Sequence, residues 1–203
     1  MDRLLEGYAR FRATRWPQQR ELYAELAAGQ TPRLLVIACS DSRVDPGQIF
    51  DVAPGELFVV RNVAALVPPC ESAPGLHGTS AAIEFAVDVL GVRTVLVMGH
   101  ARCGGIAAAI KRGRWPAPAS RASFIDEWID LAAPAVEALP ADADAAQELA
   151  ERRSIELSLD RLTTFPFVAR RVADGSLNLE GARFDIASGS LDLYNTERGW
   201  VRA

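Results

Sequence analysis

The chain has 203 residues, of which 49% are apolar and 24% are charged, and its formal net charge at pH 7 is -4. This length and composition favour one globular domain over residues 1–203, with a full hydrophobic core. The small negative charge excludes the strongly basic surface that binds nucleic acid or anionic lipid, so neither is expected as a partner.

The cysteine count and the N-terminal sequence bear on the compartment. Three cysteines are too few, and odd in number, for a disulfide framework, which favours a reducing environment. The first twenty residues lack the apolar core and cleavage site of a secretory signal. No stretch approaches the roughly 18 apolar residues of a membrane span. We therefore expect a cytoplasmic protein.

Helical periodicity dominates the N-terminal thirty residues. The spacing of apolar positions predicts helices over residues 2–14 and 18–28, broken at Trp16-Pro17. Gly29 ends the second helix. Residues 1–29 would thus form an N-terminal helical arm ahead of the first strand.

Three continuous apolar runs follow, over residues 33–39, 56–62 and 94–100. Runs of strand length without alternation are typical of parallel strands buried on both faces. Helices are predicted, in chain order, over residues 78–92, 104–113, 123–139 with a bend at its proline, 142–163, and a further turn from Pro166. An exposed loop is predicted over residues 112–123, and a β-hairpin over the alternating residues 176–195. The pattern predicts an α/β fold: a mainly parallel central β-sheet flanked by helices, with the N-terminal helical arm and a C-terminal β-hairpin.

Soft metal ligands stand at the ends of two of the predicted strands. Cys39 ends the first strand, His100 ends the third, and Cys103 begins the helix that follows. Ligands of parallel sheets bind beyond the carboxyl ends of the strands, so the two clusters can meet in one crevice. Two thiolates and an imidazole favour zinc. Three protein ligands leave a fourth position for water, the pattern of a catalytic zinc site.

An opposite-charge pair follows the first candidate ligand. Asp41 and Arg43 lie on the same side of an extended segment, so Arg43 can hold Asp41 by a two-pronged contact. Asp41 would then accept a hydrogen bond from metal-bound water, or itself become the fourth ligand in a closed state. The alternative is a solvated surface pair of little energetic consequence.

Five motifs closely resemble those of β-class carbonic anhydrases: "CSDSRVDP", "VVRNVAALVPP", "GTSAAIEFAV", "GHARCGGI" and "TTFPFVARRVADG". The resemblance runs, with gaps, from about residue 29 to the C-terminus. It implies reversible hydration of carbon dioxide to bicarbonate and a proton, by hydroxide on one zinc ion per chain. It also implies that Cys39, His100 and Cys103 bind the zinc and that Asp41 and Arg43 form a catalytic dyad.

The resemblance further implies a substrate pocket. Its lining positions would be Gln30, Phe58, Val63, Phe85 and Gly104. Gln30 matches a glutamine that donates to the substrate in plant-like members of the family. Read without the resemblance, it is a polar turn residue after Gly29.

Two departures from the family pattern bear on the subgroup. Phe85 stands where plant-like members often carry tyrosine, so a hydroxyl contact is missing there. Val36 stands where an allosterically regulated subgroup carries tryptophan, although Arg61 matches that subgroup's bicarbonate pocket. The missing tryptophan favours the plant-like subgroup.

The resemblance also implies a homo-oligomer. The minimum unit of the family is a dimer, with the helices over residues 2–28 packed on the partner and the active sites at the interface, so a homodimer or a multiple such as a homotetramer is expected. Two other functions stay open: hydrolysis of carbonyl sulfide or carbon disulfide on the same scaffold, and a non-catalytic structural zinc closed by Asp41. Comparing turnover of these gases would separate the enzymes, and a hydration assay would exclude or support the structural site.

Overall fold

A six-stranded sheet organises the computed structural model, which describes residues 1–70, 77–114 and 123–203. In chain order the strands are β1 (Leu34–Cys39), β2 (Leu57–Asn62), β3 (Thr94–His100), β4 (Asn178–Phe184), β5 (Leu191–Asn195) and β6 (Gly199–Arg202). Their order across the sheet is β2-β1-β3-β4-β5-β6. The first four strands are mutually parallel. β5 pairs antiparallel with β4, and β6 pairs antiparallel with β5. The predicted α/β fold class is confirmed.

Helices precede and separate the parallel strands. They are α1 (Asp2–Leu26), α2 (Pro46–Ile49), α3 (Gly78–Glu84), α4 (Gly104–Arg114), α5 (Phe124–Ile129), α6 (Ala143–Leu162) and α7 (Pro166–Ala173). A π-helical turn at Phe85–Val89 continues α3, and a 3-10 segment at Asp130–Val136 continues α5. In the part of the chain described here, no helix is both long enough and apolar enough to cross a bilayer.

The central strands β1 and β3 are buried on both faces, as their continuous apolar runs predicted, whereas the edge strand β2 is only partly buried, with Val59 41% exposed. Successive side chains of β1 point to opposite faces of the sheet. Leu35 packs in a cluster with Ile155 and Leu159 of α6, whereas Val36 packs in the opposite cluster with Ile106 of α4. Both strand residues are 0% exposed. Two helical layers therefore enclose β1 and β3, and a ligand can approach these strands at their ends.

Helix α1 is continuous through Pro17. The predicted division into two helices at Trp16-Pro17 is therefore wrong. Proline removes a single backbone donor, and the remaining hydrogen bonds keep the segment helical. The ring centroids of Phe11 and Tyr23 lie 6.3 Å apart. Twelve residues of straight helix would rise by about 18 Å, so α1 must bend between these rings. Trp16 packs against both of them.

The C-terminal hairpin is present, but its strands also extend the central sheet. β4 pairs in parallel with β3 on one side and antiparallel with β5 on the other. The sequence did not predict β6, which follows β5 and pairs with it. Trp200 of β6 explains this addition, since its ring packs on Tyr194 at 5.2 Å and under the guanidinium of Arg152 at 4.6 Å.

Three other predicted boundaries differ in detail. The helix predicted over 78–92 is regular only to Glu84, and the helix predicted over 123–139 changes to 3-10 geometry where Pro134 withholds its donor. Residues 112–114 of the predicted exposed loop belong to α4, and residues 115–122 lie outside the described residues.

Candidate metal centre

Cys39, His100 and Cys103 meet at the carboxyl edge of the sheet. β1 ends at Cys39, its neighbour β3 ends at His100, and Cys103 directly precedes α4. One ligand atom from each of these buried residues lies within 4.8 Å of the other two. Adjacent parallel strands end at the same edge, so the fold brings together residues that are 61 positions apart in sequence.

The donor atoms fit a tetrahedral zinc ion. Two sulfur ligands at about 2.3 Å from one tetrahedral zinc would be about 3.8 Å apart, and the Sγ atoms of Cys39 and Cys103 are 3.9 Å apart. Nδ1 of His100 lies 3.0 Å from the carbonyl oxygen of Ala101, to which it can donate. That hydrogen bond leaves the lone pair on Nε2, which is buried and has no hydrogen-bond partner among the described residues. This orphaned atom and the soft donor set fit a metal ion.

The two thiols differ in acidity because they share one hydrogen bond. The hydrogen bond from Cys103 lowers the pKa of Cys39 well below its usual range, against the opposing effect of burial. The same hydrogen bond, together with burial, raises the pKa of Cys103. The backbone N–H of Asp41 also donates to Sγ of Cys39 at 3.4 Å. The short distance between the two sulfurs therefore favours ionisation of one of the two thiols, and the thiolate is the form in which cysteine binds metals.

Arg43 grips both carboxylate oxygens of Asp41. Its Nε donates to Oδ1 at 2.9 Å and its Nη2 to Oδ2 at 2.6 Å. These hydrogen bonds hold the pKa of Asp41 well below its ordinary value. Nη2 of Arg43 also donates to the carbonyl of Arg102, at 3.2 Å. Oδ2 of Asp41 lies 3.7 Å from Nε2 of His100, so the ionised carboxylate borders the candidate metal position.

Arg61 holds the segment that carries Cys39 and Asp41. Its Nε donates to the carbonyl of Cys39 at 2.9 Å, and its Nη2 donates to the carbonyls of Asp41 and Val44 at 2.6 and 2.8 Å. Sequence reasoning noted Arg61 only as one matching residue of a bicarbonate pocket. Its position in β2, beside the end of β1, was the signal that it could reach these carbonyls.

The predicted pocket residues divide into two groups. Val63 directly follows Asn62, which pairs with Cys39, and Gly104 directly follows Cys103, so these two lie at the carboxyl edge. Phe58 lies four residues before Asn62 on β2, which is about 13 Å along the strand.

The second group, which includes Phe58, lies toward the amino-terminal ends of the parallel strands. Phe85 packs on Phe58, with ring centroids 5.8 Å apart. Gln30 precedes the N-terminal end of β1 and is exposed, so the full length of β1 separates it from Cys39. Within one chain, Gln30, Phe58 and Phe85 therefore lie well away from the candidate ligands.

Comparison with known proteins identifies the family. The family model described as carbonic anhydrase matches residues 34–191, which is most of the chain. The chain belongs to the carbonic anhydrase family. Among curated carbonic anhydrases, it is 36% identical over 202 residues to "Beta carbonic anhydrase 3" of Arabidopsis thaliana, an alignment that covers 97% of this chain and 78% of that protein. The class predicted from the motifs is thus confirmed as the β class.

Solved structures of other β-carbonic anhydrases share the fold. The structure of the β-carbonic anhydrase CcaA matches with a TM-score of 0.87 and 31% identity, over 100% of this chain and 92% of that chain. One of two tetrameric β-carbonic anhydrases from the filamentous ascomycete Sordaria macrospora matches with a TM-score of 0.80 and 27% identity, over 95% of each chain. The sheet order and strand ends that assemble the candidate metal centre thus belong to a fold that these proteins share.

Proposed function

We propose that this member of the carbonic anhydrase family catalyses the reversible hydration of carbon dioxide to bicarbonate and a proton. It would do so with one zinc ion held by Cys39, His100 and Cys103. The observation that carries the proposal is the buried cluster of two thiols and an imidazole, whose ligand atoms lie within 4.8 Å of one another. Asp41, held by Arg43, stands beside this cluster.

The zinc ion would supply a Lewis acid that lowers the pKa of a bound water toward neutrality. The protein side chains have separate tasks around it. His100 is fixed in one tautomer by the carbonyl of Ala101. Asp41 is ionised and bears hydrogen bonds from Arg43 on both oxygens, so it can accept a hydrogen bond from the reacting hydroxyl and orient it. Val63 and Gly104 would line the adjoining substrate pocket.

The two hydrogen bonds from the Arg43 guanidinium to the Asp41 carboxylate favour a catalytic site over a structural one. An aspartate that closed the site as a fourth ligand would have to give up hydrogen bonds of 2.9 and 2.6 Å to Arg43. Charge-assisted pairs of this two-pronged geometry are among the stronger hydrogen bonds in proteins. The open arrangement therefore supports enzymatic activity, and the Asp41-ligated state would require Arg43 to move.

We also propose a homo-oligomer, either a dimer or a multiple of dimers such as a tetramer. No residue of α1 is buried within the chain, and Leu4, Leu5 and Tyr8 are 72, 59 and 59% exposed. A helix whose apolar side chains are left uncovered by the chain itself fits packing on a second copy. A second copy could also bring its own Gln30 to the substrate pocket, which a single chain cannot.

The remaining sequence-based expectations are proposals of the same kind. Val36 is fully buried in the core, and Arg61 donates to backbone carbonyls and to the carboxylate of Asp45, which supports the plant-like rather than the bicarbonate-inhibited subgroup. One domain over residues 1–203, with residues 1–29 as its arm, and a cytoplasmic location stay predictions.

Stopped-flow measurement of carbon dioxide hydration, combined with metal analysis of the same sample, tests the proposed function. We expect about one zinc per chain and a hydration rate that is lost when the metal is removed and regained when zinc is restored. Carbonyl sulfide and carbon disulfide are offered to the same sample. Zinc-loaded protein that hydrates no carbon dioxide but hydrolyses either gas would replace the proposal with the rival enzyme, and inactivity toward all three gases would support a structural zinc.

A further inference from the structure

A buried carboxylate lies directly behind the candidate ligand Cys103. Glu151, on α6, is 1% exposed, and its Oε1 accepts a hydrogen bond of 3.1 Å from the backbone N–H of Cys103. Its Oε2 accepts a hydrogen bond of 3.0 Å from Nε of Arg183 and lies 2.9 Å from Nη2 of the same guanidinium. A carboxylate is costly to bury unless it is paired and hydrogen-bonded, and here both oxygens have partners.

Gln147, one helical turn before Glu151, contacts the backbone carbonyl of the same candidate ligand, Cys103. Its Nε2 donates to the carbonyl of Cys103 at 3.1 Å and to Oε1 of Glu151 at 2.7 Å. Residues four apart share one face of a helix, so α6 presents both side chains together. Both backbone polar groups of Cys103 are therefore held by side chains of a single helix.

The segment held in this way has an unusual backbone. Residues 101–103 connect β3 to α4, and Arg102 in the middle has a φ of 57°, in the left-handed region that non-glycine residues rarely adopt. Such a conformation persists only where the surroundings fix it. The hydrogen bonds from α6 constrain this segment at Cys103, and the hydrogen bond from Arg43 to the carbonyl of Arg102 constrains it one residue earlier.

The competing explanation is that Glu151 has a purely structural role and only joins α6 to the sheet. A second buried carboxylate of the chain provides a matched control for that explanation. Asp192 on β5 is also buried, at 7% exposure, and accepts hydrogen bonds of 2.7 Å from Arg152 of α6 and 3.1 Å from Arg202. This pair also joins α6 to the sheet. Neither of these hydrogen bonds involves the segment that carries His100 and Cys103.

We propose that Glu151 is a positioning residue of the metal site, which acts through Cys103 with Gln147 as a second point of contact. The inference rests on the proposed function, because it requires Cys103 to bind the metal. Glu151→Gln preserves the shape of the side chain but replaces one acceptor oxygen by a donor NH2 group. That group must face the N–H of Cys103 or the guanidinium of Arg183, both donors, so the Cys103 peptide is displaced.

The test uses the full-length, zinc-loaded protein and two readouts besides activity. Competition with a chelator gives the zinc dissociation constant, and cobalt substitution gives the thiolate-to-cobalt absorption band, which reports the geometry at the sulfur ligands. We expect E151Q to raise the zinc dissociation constant roughly 10- to 100-fold, the usual effect of losing a partner behind a ligand, and to shift the cobalt band. D192N, which removes a comparable buried carboxylate, should leave both readouts unchanged.

Gln147→Met provides a second variant in case E151Q does not fold. It removes the hydrogen bonds from Gln147 to the carbonyl of Cys103 and to Oε1 of Glu151. The Glu151–Arg183 pair and the hydrogen bond from the N–H of Cys103 to Glu151 stay in place, so a smaller change in the same direction is expected. Parent-like zinc affinity and cobalt spectrum in folded E151Q or Q147M would overturn the inference, as would an equal loss of affinity in D192N. A parent protein that binds no zinc would overturn the proposed function itself, and this inference with it.

Discussion

Ile155 of α6 packs closely against Gly99, near the end of the central strand β3, and this contact supports a quantitative prediction. A Cβ atom added at Gly99 would lie 2.7 Å from Cδ1 of Ile155 and 3.0 Å from its Cγ1. Carbon atoms in favourable contact are about 3.5–4.0 Å apart, so Gly99→Ala requires a shift of roughly 1 Å in a packed core. Gly99 directly precedes His100, so the strand end that carries a candidate ligand is constrained by this contact.

The magnitude follows from two opposing effects. Overpacking of this kind costs about 1–3 kcal/mol. Replacing a glycine within a strand returns roughly 0.5–1 kcal/mol of backbone entropy. We expect G99A to lower the free energy of unfolding by up to about 2.5 kcal/mol after both effects. Ile155→Val alone should cost about 0.5–1.5 kcal/mol.

The double variant distinguishes this packing explanation from general damage. I155V removes Cδ1, the atom nearest to the added Cβ, so it should relieve most of the overpacking caused by G99A. We expect the double variant to be about as stable as I155V alone, a coupling of roughly 1 kcal/mol between the two sites. The assay is equilibrium unfolding in urea at fixed protein and zinc concentrations, since oligomers and bound metal both shift apparent stability.

Gly78→Ala is the matched control, because an added Cβ there meets no atom of the described residues within 4 Å. Combined with I155V, it should give additive changes to within about 0.5 kcal/mol. Additive losses in G99A/I155V as well would refute the reasoning, because they would show that the added Cβ does not press on Ile155.

Three further predictions concern the metal, the dyad and the assembly. Cys103→Ser should lose most of the bound zinc, because a hydroxyl is a poor zinc ligand beside a thiolate, whereas Cys70→Ser, at an exposed position, should retain it; full zinc occupancy in C103S would contradict the ligand assignment. Arg43→Ala should lower kcat/KM for hydration, since Asp41 loses both side-chain hydrogen bonds that orient it, and near-parental turnover would show that Arg43 does not control Asp41. Light scattering at the assay concentration should give a dimer or a multiple of dimers, and a catalytically active monomer would contradict the assembly.

Local patterns in the sequence were enough to predict the first three strands of the parallel core and the candidate ligands. The two strands that end in Cys39 and His100 could be predicted from their apolar runs, because a strand buried on both faces must be continuously apolar. The ligands could then be grouped, because the ends of parallel strands share one edge. Both arguments depend only on residues that are neighbours in the chain and on a general rule about sheets.

The boundaries that failed depend on contacts between distant residues. Pro17 predicted a helix end, but one missing donor did not outweigh the packing of Phe11, Trp16 and Tyr23 around the bend. β6 was not predicted, because its four residues form a strand only where Trp200 can pack on Tyr194 and under Arg152.

The support behind the metal site was likewise decided by tertiary structure. Glu151 read as one charged residue among many in an amphipathic helix, although it lies four residues before the buried Ile155 on the same face. Its effect depends on the N–H of Cys103 and the guanidinium of Arg183, 48 positions earlier and 32 positions later in the chain. A sequence shows which side chains can bind a metal, because that is chemistry of the residue type. It does not show which distant donors surround a buried carboxylate, because hydrogen bonds between elements exist only once the elements have packed.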